Sequence, residues 1–537
     1  MWLTYLSFAA GTAIGATIIY NLCLHPLAGI PGPLLARITP LWIFYQCSKN
    51  RRPTLDLQLH EKYGSVVRIS PNEVIFSNPE YFKTVYGAGS SKTWGRSPFL
   101  LTHNQFAHDY DRLNMLLEND MDKLRIQRRV FGPVYSTANA RKHEALIDNN
   151  DRRFAARLKS LAGQVLDFYV ELEYLSLDIF AEMTFGEAFG AVERGDDGGQ
   201  MESMSKRWNW IGYIGFIPWL CKLQHEMMKR NVPFSQFRAP FPVHAWAGKK
   251  MAQYQTAVAS QNDEKAATAA KWSNAHIMKD TSDGGAVPQV SMNDDLITPC
   301  LLDDLSIVSK TKQGVGKSWA TDMAMTNIAA GIDTTSWTLA AVVATVGSNP
   351  HAYKKLQAEL DAALTSGLIK KNTPIPYEAT LSMPYLDACM QEAMRLYPNV
   401  AVSLARIVPQ EGIGLDGHYI PSGCLVGMNS KQLGLSTEIF GPNTHSFQPE
   451  RWLTASKEQL GEMESRNLGF GGPSRKCPGK NVAWVAMAKV LAGLFCNFEV
   501  EVLNQLGGKE GPGGRRWVEI GSFPTKWEGM EVRVRPR

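Results

Sequence analysis

The chain opens on an uninterrupted apolar run. Residues 1–24, MWLTYLSFAAGTAIGATIIYNLCL, hold no Asp, Glu, Lys or Arg, and about 20 apolar residues span a bilayer core as a helix. A cleaved leader has a shorter apolar core, a basic start and a small-residue cleavage site. This stretch lacks the basic start and runs long, so it predicts an uncleaved transmembrane anchor over residues 1–24. The first charges after it are Arg37, Lys49, Arg51 and Arg52, which puts the following chain on the cytoplasmic side. Between anchor and body stands His25-Pro26-Leu27-Ala28-Gly29-Ile30-Pro31-Gly32-Pro33. Its prolines and glycines cannot continue a helix. Residues 25–50 therefore read as an elbow and linker.

Beyond the elbow the pattern is mostly helical. It is clearest over Trp319–Val346, Ala352–Leu364, Met383–Arg395 and Val482–Phe495. Glu73–Ser77 and Tyr419–Gly427 read as strands, rich in β-branched and aromatic residues and bounded by Pro or Gly. Asn262–Thr298 is polar and without a steady period, a surface excursion with partial disorder. Trp208–Leu220 (WNWIGYIGFIPWL) is aromatic and apolar. It is either buried core or a lid that dips into a membrane interface, where Trp and Tyr are favoured. The fold class is mainly α with small β-sheets, and residues 51–537 form one body.

Composition narrows the function classes. The chain has 537 residues, 44% of them hydrophobic, and shows no repeat that would make a solenoid. Lys and Arg number 56 against 51 Asp and Glu, for a net charge of +5. That near balance argues against a charge-driven nucleic-acid binder, while leaving room for a basic patch that docks an acidic partner. The eight cysteines are scattered, with no C-x-x-C pair. They suit a reducing compartment and small buried hydrophobes better than a disulfide framework.

Cys477 stands apart. It lies in Phe470-Gly471-Gly472-Pro473-Ser474-Arg475-Lys476-Cys477-Pro478-Gly479-Lys480, directly ahead of the helix over Val482–Phe495. A helix N-terminus and neighbouring cations favour a thiolate, and a thiolate is a metal ligand. Taken alone, the residue could equally be a buried structural cysteine. Ala330-Gly331-Ile332-Asp333-Thr334-Thr335 is a second unusual run, placed inside an apolar helix. Gly there costs about 1 kcal/mol relative to Ala, and a Thr that bonds back one turn loosens the ladder. The polar residues Asp322, Asn327 and Asp333 make that helix an improbable membrane span. Glu392-Ala393-Met394-Arg395 sets Glu and Arg on one helix face, and Arg451 of Pro449-Glu450-Arg451-Trp452 could fork onto the same carboxylate.

Phe470, Gly471, Arg475, Cys477 and Gly479 resemble the haem-binding signature of the cytochrome P-450 superfamily. One position departs, since the second glycine before the arginine is Pro473, with Gly472 ahead of it. The resemblance runs from the anchor to the C-terminus. It is greatest to membrane-bound members of filamentous fungi, which share the HPLA…PGP elbow. It implies a cytochrome P-450 fold, with a haem-thiolate catalytic domain over residues 51–537. Cys477 would be the axial ligand of haem b (iron protoporphyrin IX), contacted also by Phe470, Arg475 and Gly479. Thr334 would hydrogen-bond the O2 under activation and Asp333 would relay protons. Glu392, Arg395 and Arg451 would form a structural triad that pins the cysteine loop.

In Leu124-Arg125-Ile126-Gln127-Arg128-Arg129, the resemblance puts Arg128 at the haem propionates, with Leu124 where the family often has Trp or His. A solvated basic face, or one that meets a redox partner, is the other reading. Arg406 could also reach a propionate. Val400, Val402 and Leu404 are candidates for the pocket wall, and Ser97–Tyr110 for its roof.

The implied activity is a monooxygenase using O2 and electrons from NADPH to oxidise a lipophilic small molecule, in fungal secondary metabolism. No G-x-G-x-x-G follows a strand, so the electrons come from a separate NADPH-cytochrome P-450 reductase, with cytochrome b5 a second possible donor. The protein would be a single-pass resident of the endoplasmic reticulum membrane with its catalytic domain in the cytoplasm. The alternatives are a reductase-independent peroxygenase or isomerase and, more remotely, a haem sensor or carrier without turnover.

Overall fold

A computed structural model describes residues 1–99, 120–217, 242–260, 299–312, 318–521 and 523–537, with single positions 113, 115, 116, 118, 219, 220, 223, 226, 227, 230, 315 and 316 between them. The surface excursion read over 262–298, and the roof segment from Leu100 to Tyr110, lie outside the described residues.

The apolar run forms α1 (Trp2–Ile19), which ends in one wider turn over Tyr20–Leu24 before the backbone becomes extended at His25. Only 6% of its apolar window is buried, and it is long and apolar enough to cross a membrane. Residues 34–48, read as linker, are in fact helical: α2 (Leu34–Ile38) and α3 (Leu41–Ser48). They are held because Ile43 and Cys47 share a small core with Leu55 and Leu59 of α4 (Arg52–Tyr63) and with Val67, Ile69 and Ile75. Arg68 of β1 (Val66–Ser70) fastens the elbow, its buried guanidinium donating to the carbonyls of Asn21 at 2.9 Å and Pro71 at 2.8 Å. Gly32 is required at this junction, since a Cβ would come within 2.2 Å of the Arg68 carbonyl oxygen.

The main sheet has the order β1-β2-β8-β5-β3. Its other strands are β2 (Glu73–Phe76), β3 (Gly95–Arg96), β5 (Arg406–Ile407) and β8 (Leu425–Gly427). Only β2 and β8 run parallel. The single strand expected over Tyr419–Gly427 is two. β7 (His418–Ile420) pairs with β6 (Ile413–Leu415), and the chain turns through Gly423, at φ 82°, into β8. A strand cannot pass through Pro421 and a left-handed glycine without breaking. β4 (Val165–Asp167), β12 (Glu531–Pro536) and β9 (Phe498–Val502) make a three-stranded sheet, and β10 (Val518–Gly521) and β11 (Thr525–Glu528) a hairpin.

Helices supply the rest of the body. Those that position the site are α5 (Met121–Phe131), α6 (Glu144–Ser160), α7 (Phe168–Phe185), α8 (Gln200–Ile214), α9 (Trp319–Gly347), α10 (Pro350–Thr365), α11 (Pro384–Leu396), α12 (Glu450–Thr454) and α13 (Lys480–Asn497). Every residue of α9 from Thr335 to Val346 is buried, so this apolar helix belongs to the core. Asn349 separates α9 from α10, its side chain accepting from the Ala352 N–H at 3.1 Å while Pro350 takes the first helical position. Helix α13 is anchored by Lys489, fully buried, which donates to Glu144 and Asp148 of α6 and to the Ile375 carbonyl at 2.6 Å.

Candidate active site

The cysteine loop is built from two short 3-10 turns, Leu468–Phe470 and Pro473–Arg475. Gly471, at φ 79°, reverses the chain between them. Pro473 opens the second turn, where a fixed φ fits and a missing N–H leaves nothing unpaired. The departure from the expected glycine is thus accommodated locally. The Cys477 N–H donates back to the Phe470 carbonyl at 2.7 Å, and Gly479 leads into α13. Phe470 packs on Trp484 of α13 with ring centroids 6.1 Å apart.

Cys477 is surface-accessible, although protein surrounds its thiol on most sides. Burial pushes its thiol up, while the N–H groups of Gly479 and Lys480 and the charge of Arg128 pull it down. Burial is the largest of these influences, so the net direction without a metal is upward. A bound metal cation would tip that balance, because a coordinating thiol loses its proton.

Helix α9 carries the second run without a break in its helical path. Thr334 is exposed within it, and its Oγ1 donates back to the Ala330 carbonyl at 2.8 Å. Asp333 is turned elsewhere. It is buried, and its Oδ2 has no hydrogen-bond partner. Burial pushes its carboxyl up to about 6, against the pull of Lys526 and of the nearby Trp208 indole.

A cationic cluster lies beside the cysteine loop. Arg96 of β3 and Arg406 of β5 are direct register partners, and Arg475 and Arg128 complete the group. The Arg128 guanidinium donates to the Lys476 carbonyl at 2.6 Å and Arg475 to that of Trp94 at 2.6 Å. Leu124, one turn before Arg128, is buried and offers no polar atom. Burial and repulsion by its neighbours push Arg475 down to about 9 and Arg96 to about 10, and burial lowers Arg406. Nε of Arg128, of Arg406 and of Arg475, and Nη1 of Arg475, lack partners. Four cations drawn together, two of them buried, are costly, and Glu118 is the one carboxylate whose charge reaches Arg96 among the described residues. The two propionates of an iron porphyrin would neutralise this cluster, and Cys477 offers its iron a ligand. The residues fit haem.

Glu392 gathers the structural network. Its carboxylate accepts from Arg395 Nε (2.8 Å) and Nη2 (2.7 Å), Arg451 Nε (3.0 Å), Trp452 Nε1 (2.9 Å) and the Gln448 N–H (3.0 Å). Arg395 also donates to the carbonyls of Gly434, at 2.6 Å, and Thr444, at 2.7 Å. Asn467, at the head of the cysteine loop, donates to the Gln391 carbonyl of α11 at 3.3 Å.

The aromatic segment after Trp208 divides. Trp208, Ile211, Ile214 and Ile217 are buried, whereas Trp219 is 62% exposed. The ring of Trp208 lies 6.0 Å from Phe523, Phe523 lies 5.6 Å from Phe99, and Phe99 lies 5.0 Å from Phe216. Of the pocket-wall candidates Val402 is buried, while Val400 and Leu404 are half-buried. Arg96, Glu173 and Lys526 were not singled out from sequence. No local motif marks them, because each gains its neighbours only through the fold.

A thiol on a helix N-terminus, a threonine exposed inside a core helix and a group of arginines together suit the class of haem-binding proteins. The cytochrome P-450 family model matches residues 31–510, and the chain belongs to that family. The cytochrome P-450 monooxygenase sdnT of Sordaria araneosa is 32% identical over 506 residues, covering 91% of this chain and 88% of the relative. A pisatin demethylase of Fusarium vanettenii is 27% identical, over 93% of this chain and 91% of its own. The monooxygenase gsfF of Penicillium aethiopicum is 27% identical, over 97% and 95%. The family uses haem iron and O2.

Proposed function

We propose that this chain is a membrane-anchored monooxygenase that oxidises a lipophilic small molecule, with electrons passed from NADPH by a separate flavin reductase. The catalytic domain faces the cytoplasm from the endoplasmic reticulum membrane, and the product belongs to fungal secondary metabolism. The observation that carries this reading is the cluster of Arg96, Arg128, Arg406 and Arg475, in which Nε of Arg128, Arg406 and Arg475 lack partners among the described residues, next to an accessible Cys477. The apolar α1 supports the anchor, and the fungal relatives support the metabolic setting. Cytochrome b5 is a candidate second electron donor.

Haem, when bound, supplies the iron at which O2 is reduced and a C–H bond oxidised. Cys477 would supply a thiolate ligand and Arg128, Arg406 and Arg475 would hold the carboxylates. Phe470 shields the sulfur side by packing on Trp484. Thr334 presents a hydroxyl to the open space, and Asp333 holds a proton one residue away. The aromatic line of Trp208, Phe523, Phe99 and Phe216 excludes water from the approach.

The ferrous carbon-monoxide difference spectrum tests the reading. The wild type should give the thiolate-type Soret band, and Cys477→Ser should lose it, because a neutral hydroxyl cannot replace the electron donor. A band of the imidazole or neutral-ligand type in the wild type would overturn it. Reductase-driven NADPH consumption separates a monooxygenase from a peroxygenase or a haem carrier.

A further inference from the structure

A cavity of about 270 Å³ lies among five helical segments, and none of its walls is a residue assigned to the haem. Three of the helices each turn one face to it, with side chains three or four positions apart. Helix α11 gives Asp387, Ala388 and Gln391, α13 gives Trp484 and Ala488, and the helix Lys457–Arg466 gives Leu460 and Glu464. The room is left by Ala388 and Ala488, which are buried but end at Cβ. Leu381 and Leu453 line the cavity and yet are 59% and 45% exposed, so it opens to solvent on their side.

The lining is aromatic and acidic. Trp452, Trp484 and Tyr377 give it ring surface, and Asp387 and Glu464 are its charged residues. Both carboxylates are exposed, hence within reach of a bound molecule. No Lys, Arg or His lines the cavity. Arg466, two positions beyond Glu464, is committed to Glu462 at 3.0 Å. Lys480 stands over the rings instead, its Nζ 5.8 Å from the centroid of Phe470 and 5.6 Å from that of Trp484, and it forms no ion pair with either carboxylate. The cavity thus sets two carboxylates, balanced by no side chain within it, beside aromatic walls. A bare metal ion would leave the apolar walls unused, an anion would be repelled, and a hydrocarbon would leave the carboxylates unused. A cation with an apolar body uses both, because ring faces and carboxylates attract positive charge.

We propose that this cavity binds a lipophilic organic cation, its apolar body against Trp452 and Trp484 and its charged nitrogen toward Asp387 and Glu464. The site is apart from the haem but in contact with what holds it. Trp484 also meets Phe470, ahead of Cys477, and the Gln391 carbonyl accepts from Asn467 at the head of the cysteine loop at 3.3 Å. A molecule in the cavity therefore touches two residues that support that loop. The binding itself does not depend on the reaction at the haem.

The test is equilibrium dialysis of the full-length, haem-loaded protein against radiolabelled benzyltrimethylammonium. The protein is held in nanodiscs of zwitterionic lipid, with empty nanodiscs as the blank. A quaternary nitrogen has no lone pair, so iron coordination cannot be mistaken for binding. The neutral control is 2,2-dimethylpropylbenzene, in which carbon replaces that nitrogen. The wild type should bind the cation saturably. The isosteric double variant Asp387→Asn with Glu464→Gln should bind it at least about 5-fold more weakly, with its affinity for the neutral control unchanged. Ala488→Leu, which fills the cavity, should weaken both. Equal affinity of wild type and double variant for the cation overturns the proposal, as does cation binding that Ala488→Leu leaves intact or the absence of saturable binding in the wild type. Loss of both molecules in the double variant assigns the effect to shape and overturns the choice of a cation. The wild-type carbon-monoxide spectrum, kept in each variant, shows that the fold and the haem are retained. If Ala488→Leu fails to fold, the double variant decides alone.

Discussion

Arg96 and Arg406 stand opposite each other across the β3–β5 ladder, two like charges at directly paired positions at the sheet edge, Arg406 buried and Arg96 half-buried. Opposed like charges destabilise a strand pair, and here Arg475 and Arg128 add to the repulsion felt by Arg96 and Arg475. The arrangement becomes favourable only when anions enter. Arg406→Gln should therefore act in opposite directions on the two forms of the protein. It removes a charge-assisted contact worth about 1.5–3 kcal/mol from the haem-loaded form, so haem should pass to excess apomyoglobin roughly 10- to 100-fold faster. The haem-free form should hold or gain stability. A variant that destabilises the haem-free form while keeping haem as tightly as wild type would remove Arg406 from the cradle.

How much of this was legible in the chain depends on how local each feature is. The anchor, Cys477 on its glycine loop, and Asp333 with Thr334 inside an apolar helix are runs of neighbouring residues, and one reading frame holds them. The arginine cluster is drawn from β3, α5, β5 and the cysteine loop, so the sequence offered Arg128, Arg406 and Arg475 only by resemblance and Arg96 not at all. Glu173 and Lys526, paired at 2.7 Å, are 353 positions apart, and their pairing follows from how β11 lies against α7. Residues 34–48 escaped notice as helices because each is too short to show a period, and their stability comes from packing on α4 and β1.

Gly331 is placed so close to α7 that a Cβ would meet the Phe180 ring at 2.6 Å. Alanine ordinarily improves a helix by about 1 kcal/mol over glycine. Here the ring would have to move inside a packed core, which costs about 1–3 kcal/mol. Gly331→Ala should therefore lower stability by up to about 2 kcal/mol in denaturant unfolding of the haem-loaded protein. Adding Phe180→Leu should recover part of that loss, and a stabilised single variant would show that the contact is looser than described.

Glu392 receives all its donors within a buried site, so neutralising it strands two guanidinium groups at once. Breaking a buried pair by removing one partner costs about 3–5 kcal/mol. Glu392→Gln should yield little folded protein and no thiolate spectrum on expression, with proteolysis of the segment between Gly434 and Cys477 as the first sign. Normal yield and spectrum would mean that the arginines find other acceptors.

Glu73 provides a pH test away from the site. It is buried beside Ser403, which donates to it at 3.3 Å, and burial pushes its carboxyl from the usual value up to about 7 despite Arg52 nearby. A carboxyl raised in the folded state contributes stability that is complete below its unfolded pKa of 4.5 and lost as pH rises through about 7. Glu73→Gln should flatten the fall in Tm between about pH 5 and pH 7 relative to wild type. An unchanged slope would mean that Glu73 stays ionised throughout that range.

Thr334 allows catalytic and structural effects to be told apart. Its hydroxyl donates to the Ala330 carbonyl, within a helix that already satisfies its own backbone, and its side chain is exposed. Replacing it with Ala leaves no buried polar group stranded and improves helix propensity, by at most about 0.7 kcal/mol. Thr334→Ala should therefore keep its Tm and its thiolate-type carbon-monoxide spectrum. What it should lose is coupling, because the hydroxyl offered to O2 is gone. With reductase and substrate, NADPH oxidation should continue while most of the electrons leave as hydrogen peroxide. Thr334→Ser, which retains the hydroxyl with a freer rotamer, should fall between Ala and wild type. The ratio of product to NADPH consumed measures this directly. Full coupling in the Ala variant, with an intact spectrum, would assign the oxygen-side hydrogen bond to some other group.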